Sequence, residues 1–288
     1  MPASNDPELV RKHYLTDQSL RIRQEIHNTY TVPKIDYPAW VIDNLQWRGD
    51  ELVLDVGGGA GAYYDVLMQR VPDATYVGLD LSPGMLAQHP ARSSVVNADA
   101  MQLPFANDSV DVVMANHMMY HLPDIDAAIE EFRRVLRPDG ALLVATNSAQ
   151  SMPELQVLMR RAILLLTRSV GTQVRPPAPA SDLFALENGA RKLSHHFYAV
   201  VRYDLPSKLV FPDVEPLMRY LNSTRSLREP QLPSDVNWDD VMMIMEQQAT
   251  HLVNHLGELS INKLAGTLLA TDRGDFINEF VGIQEQAV

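Results

Sequence analysis

Short apolar runs alternate with helical patterns over residues 49–150. Five of these runs have the length and composition of buried strands, at residues 51–56, 75–80, 93–98, 110–116 and 141–147. The segments between them carry apolar residues at helical spacing, and the clearest helix is predicted over 125–136, before Pro138. Strands that alternate with helices form right-handed βαβ units. The pattern therefore predicts a parallel sheet with helices on its faces.

The flanking segments predict a helical cap and further strands. Residues 1–48 show a loose helical period that Pro33 and Pro38 interrupt. Beyond residue 150 the pattern predicts helices at 151–170, 182–195, 214–221 and 239–256. It also predicts strand-like segments at 196–205, 207–211 and 261–272. We therefore divide the chain into an N-terminal cap or lid (1–48), a core (49–150), cap helices with sheet-completing elements (151–257), and a final strand with a C-terminal tail (258–288).

The composition is that of an ordinary globular chain, with 46% apolar and 21% charged residues. The 288 residues include no cysteine, which excludes disulfides, thiolate zinc sites and iron–sulfur clusters. The first residues lack the apolar stretch of a secretory signal, and the most apolar predicted helix is interrupted by Arg160 and Arg161. We therefore expect neither a leader nor a membrane span, and we expect the protein to be cytoplasmic.

The net charge of −12 disfavours polyanionic partners. An acidic chain without a strong basic stripe is a poor ligand for nucleic acids or anionic lipid. Residues 191–228 carry a local net charge of +4, which we interpret as a solvated face rather than a binding patch. The expected partner is therefore a small molecule, with neither nucleic acid nor membrane involved.

A turn rich in glycine follows the first predicted core strand, in the sequence LVLDVGGGAG (52–61). Glycine permits a sharp turn and a close approach of a ligand to the backbone, and the next helix points free N–H groups into the turn. Gly57, Gly59 and Ala62 satisfy the G-x-G-x-x-G/A pattern of dinucleotide-binding turns, and Asp80 lies 21 residues after Gly59. The turn alone therefore leaves two classes of cofactor open.

Three carboxylates favour a cofactor other than a dinucleotide. Asp55, two residues before Gly57, would repel a pyrophosphate but would suit a cationic amino acid or a sulfonium. Asp80 ends the second strand and can accept hydrogen bonds from two ribose hydroxyls. Asp99, in the segment that ends the third strand, can read an adenine edge together with a backbone N–H.

Several motifs occur in order between Leu52 and Asn147: DVGGGAG, GLDLSPGML, NADAMQLPFANDSVDVV, ANHMMYHLPD and EFRRVLRPDGALLVAT. Together they resemble the class I S-adenosylmethionine-dependent methyltransferases, and most closely the small-molecule type similar to the ubiquinone/menaquinone biosynthesis enzymes. This resemblance implies a doubly wound, seven-stranded, mostly parallel Rossmann-like sheet in an α/β fold. The cap would come from the N-terminus and from insertions after the fifth strand.

The resemblance also implies a role for particular residues. The floor under the methionine part of S-adenosylmethionine would consist of Gly57, Gly59 and Gly61. The remaining cofactor contacts would come from Asp55 at the amino group, Asp80 at the ribose, Leu81, Asp99 and Ala100 at the adenine, and Asn116 and His117 at the sulfonium end. Aromatic residues of the N-terminal cap could close over the cofactor, namely Tyr14, Tyr30 and Trp40.

The candidate catalytic residues are His117 and His121, which follow the fourth core strand at the edge where ligands bind. If this segment turns into a helix, the two imidazoles share a face at i, i+4 spacing. Either could then act as a general base for the acceptor, whereas a structural role remains open for both. His251 and His255 have the same spacing, but we expect no metal site there.

The leading hypothesis is methyl transfer from S-adenosylmethionine to a small acceptor in a capped pocket, with S-adenosylhomocysteine as the product. The residues do not distinguish O-, N- and C-methylation, and we expect a monomer or a homodimer. Two alternatives remain. One is a non-catalytic S-adenosylmethionine-binding protein, and the other is an NAD-dependent oxidoreductase.

Overall fold

The computed structural model describes residues 5–14, 18–168 and 175–274, and an eight-stranded sheet lies at its centre. The strands are β1 (Thr31–Val32), β2 (Leu52–Val56), β3 (Thr75–Asp80), β4 (Val95–Asn97), β5 (Val110–Met114), β6 (Leu136–Asn147), β7 (Ala199–Phe211) and β8 (Leu259–Thr271). Their order in the sheet is β1-β7-β8-β6-β5-β2-β3-β4.

Helices surround this sheet. They are α1 (Pro7–His13), α2 (Gln18–Tyr30), α3 (Tyr37–Asp43), α4 (Tyr64–Arg70), α5 (Pro83–Leu86), α6 (Ile125–Val135), α7 (Pro153–Leu166), α8 (Leu186–Leu193), α9 (Glu215–Asn222), α10 (Arg225–Arg228) and α11 (Trp238–Leu256). None of the described helices is long and apolar enough to cross a membrane.

Local chemistry determines where several of these helices begin and end. The Ser82 hydroxyl accepts from the Met85 N–H, and Pro83 occupies the first position of α5. The Asn237 side chain accepts from the Asp240 N–H at the start of α11, and Gly257 ends that helix with a φ of 83°. A left-handed residue after the last turn is a common helix end, and glycine adopts it without a Cβ penalty.

The α/β class and the parallel core that the sequence predicts are confirmed. β2 pairs in parallel with β3 and β5, β3 with β4, and β5 with β6. The other three pairings, β6 with β8, β8 with β7 and β7 with β1, are antiparallel. The sheet has eight strands rather than seven because the residue pair Thr31–Val32 adds an edge strand beside Leu209 and Lys208.

Several predicted elements differ in extent from those observed. The two segments 196–205 and 207–211 form one strand, because Pro206 continues the β7 backbone opposite Leu264. The helix predicted over 151–170 is observed as α7, and residues 169–170 lie outside the described residues. Residues 1–4 and 15–17 of the predicted lid, and residues 275–288 of the predicted tail, also lie outside them.

Two clusters of apolar residues cover the two faces of the parallel strands, and a third fills the cap. One cluster places α6 and α8 against the sheet, and another places α3 and α4 on the opposite face. The third packs α2, α7, α9 and α11 around the ends of β7 and β8, including Phe211 and Leu259. The cap therefore has a core of its own that rests on the antiparallel side of the sheet.

The strand order reverses direction at β2. The chain runs outward from β2 through β3 to β4 and then returns to the other side of β2 to form β5 and β6. In open α/β sheets, ligands bind beyond the carboxyl ends of the strands at such a switch point. The loops after β2, β3 and β5 therefore define the place where a site is expected.

Candidate functional site

The glycine turn follows β2 and lies against the end of β3. Gly57, Gly59 and Gly61 all have left-handed backbones, with φ of 69°, 56° and 82°. The N–H groups of Gly57 and Gly58 both donate to the Leu79 carbonyl, at 2.7 and 3.1 Å. The turn is therefore bonded to β3, and its three left-handed positions favour glycine whether or not a ligand is bound.

Contacts within the chain also restrict the glycine positions. A Cβ on Gly57 would lie 2.7 Å from the Cβ of Met118, and one on Gly61 would lie 2.8 Å from Nε2 of His89. A Cβ on Gly59 would meet only the flexible end of Met85 at 3.1 Å. We expected contact with the ligand to require all three glycines, whereas packing inside the protein already requires Gly57 and Gly61.

The Asp80 carboxylate lies at the centre of the loop edge. Its Oδ2 accepts from the Gly59 N–H at 3.0 Å and its Oδ1 accepts from the Ser82 N–H at 2.7 Å. Burial raises the pKa of Asp80, while these two N–H groups act to lower it. Leu81, the next residue, is 63% exposed. An oriented carboxylate beside an exposed apolar side chain suits a ribose with an attached aromatic base.

Asp55 is buried beneath the turn and belongs to a polar chain. The Tyr76 hydroxyl donates to Oδ2 of Asp55 at 2.9 Å and lies 2.9 Å from Nε2 of His89. Nδ1 of His89 accepts from the Ala91 N–H, so Nε2 carries the proton and donates to Tyr76. Burial raises the pKa of Asp55 to about 7. A cation bound nearby would favour the ionised form, as expected for the amino group of a ligand.

The raised pKa of Asp55 predicts a specific dependence of stability on pH. Its usual pKa is 3.8, so between pH 4 and about 7 the unfolded state holds fewer protons at this position than the native state. The contribution of Asp55 to the free energy of unfolding therefore falls as pH rises, by a total on the order of 4 kcal/mol. The free energy of unfolding of Asp55→Asn, measured in urea relative to that of the parent, should therefore increase as the pH rises from 4.5 to 7.5.

A control variant separates this effect from the other titrating groups. Burial holds the pKa of His117 at about 4 and that of His121 at about 3, and both effects are shared by parent and variant. Gln69→Ala, which removes an exposed neutral side chain from α4, should show a difference from the parent that does not change with pH. A constant difference for Asp55→Asn as well would contradict the raised pKa.

The residues predicted for the adenine and sulfonium ends follow β4 and β5. Asp99 accepts from the Met101 N–H at 2.9 Å through Oδ1, and Ala100 is buried beside it. Oδ1 of Asn116 accepts from the Ala145 N–H at 2.9 Å. Nδ2 of the same amide is buried without a hydrogen-bond partner. Since a buried donor without a partner is costly, this atom indicates a place for a ligand acceptor.

The two candidate catalytic histidines do not share a helix face, so the helical arrangement considered above is wrong. His117 adopts a left-handed φ of 55°, and only Met119–His121 form a short 3-10 turn. Nε2 of His117 lies 3.1 Å from the Tyr37 hydroxyl, whereas Nε2 of His121 lies 2.9 Å from the Tyr14 hydroxyl. Both imidazoles are neutral at pH 7 because burial lowers their pKa values. Their catalytic role stays a prediction.

Tyr14 links the cap to the loops of the core. Its hydroxyl bonds with His121, and its backbone carbonyl accepts from the Ser82 hydroxyl at 3.0 Å. Tyr30 packs on Phe211 within the cap core instead, with ring centroids 5.2 Å apart. Of the two tyrosines predicted to contact the cofactor, Tyr14 therefore bridges the loops that follow β3 and β5, while Tyr30 contributes to the cap core.

The sequence did not single out Tyr37 and Tyr76, although both contact predicted site residues. Tyr37 bonds with His117, and Tyr76 bonds with Asp55. The register of β3 could have identified Tyr76. Gly78 pairs with Asp55, and Tyr76 lies two residues before Gly78, so its side chain is on the same face of the sheet as that of Asp55. No local signal marked Tyr37, which reaches His117 through the tertiary fold.

Comparison with known proteins agrees with this geometry. Residues 54–144 match the family described as "Methyltransferase domain". A ubiquinone/menaquinone biosynthesis C-methyltransferase from Paracoccus denitrificans is 34% identical over 42% of this chain and 54% of its own length. A malonyl-[acyl-carrier protein] O-methyltransferase from Laribacter hongkongensis is 37% identical over 36% of this chain and 40% of its own length. The chain thus spans about half the length of the curated relatives it matches.

Solved structures share the fold at low sequence identity. The YcgJ protein of Bacillus subtilis aligns with a TM-score of 0.51 and 20% identity, over 82% of this chain and 98% of its own. The phosphoethanolamine N-methyltransferase 2 of Haemonchus contortus aligns with a TM-score of 0.54 and 13% identity, over 95% of this chain and 61% of its own.

The fold, the loops at the switch point and the match of residues 54–144 to the "Methyltransferase domain" family are similar to those of class I S-adenosylmethionine-dependent methyltransferases. The resemblance predicted from the sequence motifs is thereby confirmed, and S-adenosylmethionine is the cofactor of this class.

Proposed function

We propose that this protein transfers a methyl group from S-adenosylmethionine to a small molecule bound between the cap and the carboxyl edge of the sheet. One observation carries the proposal. Tyr14 bonds both to Ser82, beside the predicted ribose-binding Asp80, and to His121 after β5. The cap is thus fastened over the predicted cofactor loops, as a reaction that excludes water requires.

The residues present fit the cofactor. The glycine turn would support the methionine part, and Asp80 would accept from the ribose hydroxyls. The adenine would lie among Leu81, Asp99 and Ala100, and the buried amide N–H of Asn116 would find an acceptor at the other end. Bound S-adenosylmethionine supplies a methyl carbon that its sulfonium activates for in-line displacement.

The chain's own contribution is to orient the acceptor and keep the site dry. His117 and His121 are neutral and held by Tyr37 and Tyr14. In the tautomer whose Nε2 donates to the tyrosine hydroxyl, Nδ1 of each imidazole can accept a hydrogen bond from an acceptor O–H or N–H. We propose that they act mainly by positioning, because pKa values of about 4 and 3 make them weak bases near pH 7. Proximity would then supply most of the acceleration.

The proposal also assigns a role to each segment of the chain. Residues 49–150 would hold the cofactor, while 1–48 and 151–257 would form the acceptor side and 258–288 would complete the sheet. The two curated relatives are named for C- and O-methylation, so their names leave the acceptor atom open. A small-molecule acceptor and a monomer or homodimer remain our expectation.

A methyl-transfer screen tests the proposal. S-adenosylmethionine with a labelled methyl group is incubated with the protein and fractionated small-molecule metabolites, and label in new products is measured. We expect at least one labelled product with the parent and a strong loss with Asp80→Ala. Tight cofactor binding without transfer to any fraction would favour the alternative, a non-catalytic S-adenosylmethionine-binding protein.

A further inference from the structure

Three cations lie in the cap or on the strand that it covers, and the described residues give none of them a carboxylate partner. They are Arg23 on α2, Lys263 on β8 and Arg228 in α10. In the part of the chain that the structure describes, none of the three has a carboxylate oxygen within 4.0 Å. Buried charges are normally paired, because their desolvation is costly. A local excess of positive charge is unexpected in a chain with a net charge of −12.

Arg23 occupies the centre of this region. Its Nη1 donates to the Ser223 carbonyl at 3.2 Å and lies 3.2 Å from Nε2 of His13. The positive charge of Arg23 acts to lower the pKa values of His13, His27 and His121. Arg23 therefore lies close to the cap histidines and to one of the candidate catalytic residues.

Lys263 approaches the same region from the sheet. Strand alternation places its side chain on the face of β8 that buries Ile261 in the cap core. Its Nζ donates to Oγ1 of Thr31 at 3.2 Å and lies 3.4 Å from Nδ1 of His27. Ser207 is opposite Lys263 in the β7–β8 register, and its buried hydroxyl has no hydrogen-bond partner. A cation and a free hydroxyl thus share one face.

Arg228 completes the group from α10. Arg228 is only 7% exposed, and its Nη1 donates a hydrogen bond to the sulfur of Met159 at 3.9 Å. The negative charge of Asp182 acts to raise the pKa of Arg228, although the two side chains do not form an ion pair. Oδ1 of Asp182 is buried without a hydrogen-bond partner. The charge of Arg23 also acts to lower the pKa of Arg228, so a half-buried and a buried guanidinium group lie within electrostatic reach of each other.

We propose that Arg23, Lys263 and Arg228 bind a carboxylate or phosphate group of the methyl acceptor, which makes the substrate a small organic anion. This inference rests on the proposed function. The anion would neutralise the three cations and accept from the Ser207 hydroxyl. The charges of Arg23 and Lys263 both act to lower the pKa of His27, and that of Lys263 also acts to lower the pKa of His117. Because His117 lies in the loop after β5, the rest of the acceptor would extend from the cations toward that loop.

Binding of charged and neutral probes tests the proposal. The protein is saturated with S-adenosylhomocysteine and titrated in a calorimeter with benzoate, phenyl phosphate and benzamide. The parent should bind at least one of the two anions and should bind benzamide at least tenfold more weakly. Arg23→Met and Lys263→Met should each weaken anion binding at least tenfold. Arg161→Met, which removes an exposed positive charge from α7, should bind like the parent.

Further measurements distinguish the possible failures. S-adenosylhomocysteine affinity is measured first in every protein, and we expect Arg23→Met and Lys263→Met to keep it. If the parent does not bind S-adenosylhomocysteine, the proposed function fails. In a different outcome, the parent binds S-adenosylhomocysteine but binds benzamide as tightly as the anions, or binds neither anion. Either result would overturn only the proposal that the acceptor is an anion. Loss of S-adenosylhomocysteine affinity in the two variants would instead assign these cations to the cofactor carboxylate and overturn the proposal.

A gain in stability provides a test that does not depend on the probes. Removal of a half-buried cation without a carboxylate partner relieves an electrostatic cost, so Lys263→Met should raise the Tm of the ligand-free protein. Lys263→Gln keeps the ability to donate hydrogen bonds to Thr31 and should raise the Tm as well. A fall in Tm for both variants would show that Lys263 has a structural role, contrary to the proposal.

Discussion

Gly57→Val should abolish S-adenosylmethionine binding and lower the Tm of the protein. Gly57 has a φ of 69°, which a β-branched residue adopts only under strain. Its new Cβ would also lie 2.7 Å from the Cβ of Met118, an atom that cannot rotate away. Strain and overpacking together should cost about 2–6 kcal/mol of folding stability. Thermal unfolding and titration calorimetry measure the two effects.

A milder pair of variants separates the turn's role in binding from its role in folding. In Gly59→Ala the new Cβ meets only the end of Met85, so we expect a folded protein with at least tenfold weaker cofactor binding. Gly257→Ala imposes a left-handed alanine with open space around it at the end of α11. Both variants should lose stability, but only Gly59→Ala should lose affinity. Equal affinity in the two would contradict the glycine-floor model.

Asp80→Ala should weaken S-adenosylmethionine binding by about 1.5–3 kcal/mol, the scale of hydrogen bonds to a charged group. The structure adds a second reason for this loss. The carboxylate accepts from the N–H groups of Gly59 and Ser82, so its removal also loosens the turn and the start of α5. Titration calorimetry on the folded variant measures the change in affinity.

Two further carboxylate variants show which part of the loss belongs to the ligand. Asp80→Asn keeps the shape and one acceptor oxygen, so its affinity should lie between those of the parent and Asp80→Ala. Asp73→Ala removes an exposed carboxylate from a loop and should leave binding unchanged. Parental affinity in a folded Asp80→Ala would make the ribose assignment wrong.

The parallel core could be predicted from the sequence because its central strands β2 and β5 are buried on both faces. All five residues of β5 are buried, and such strands appear as continuous apolar runs between turns. The loop after β5 could not be read in the same way. HMMYH has helical spacing, but Met118 packs against Gly57 and the His117 N–H donates to the Ala145 carbonyl. These tertiary contacts hold His117 in a left-handed conformation.

The sequence did not reveal the three cations of the cap region, for a related reason. The positive segment 191–228 is in part the solvated face that we expected, since Arg202, Arg219 and Arg225 form ion pairs at partly exposed positions. Arg228 of the same segment is buried, because α10 packs against α1 and turns it inward. Local charge counts contain no information about such packing.

Titration of the parent protein with S-adenosylmethionine, S-adenosylhomocysteine and NAD tests the central claim most directly. We expect saturable binding of one molecule of either sulfur-containing ligand per chain, with no measurable binding of NAD. The buried carboxyl of Asp55 beneath the turn would oppose a pyrophosphate. Binding of NAD without binding of S-adenosylmethionine would contradict the account and assign the turn to a dinucleotide.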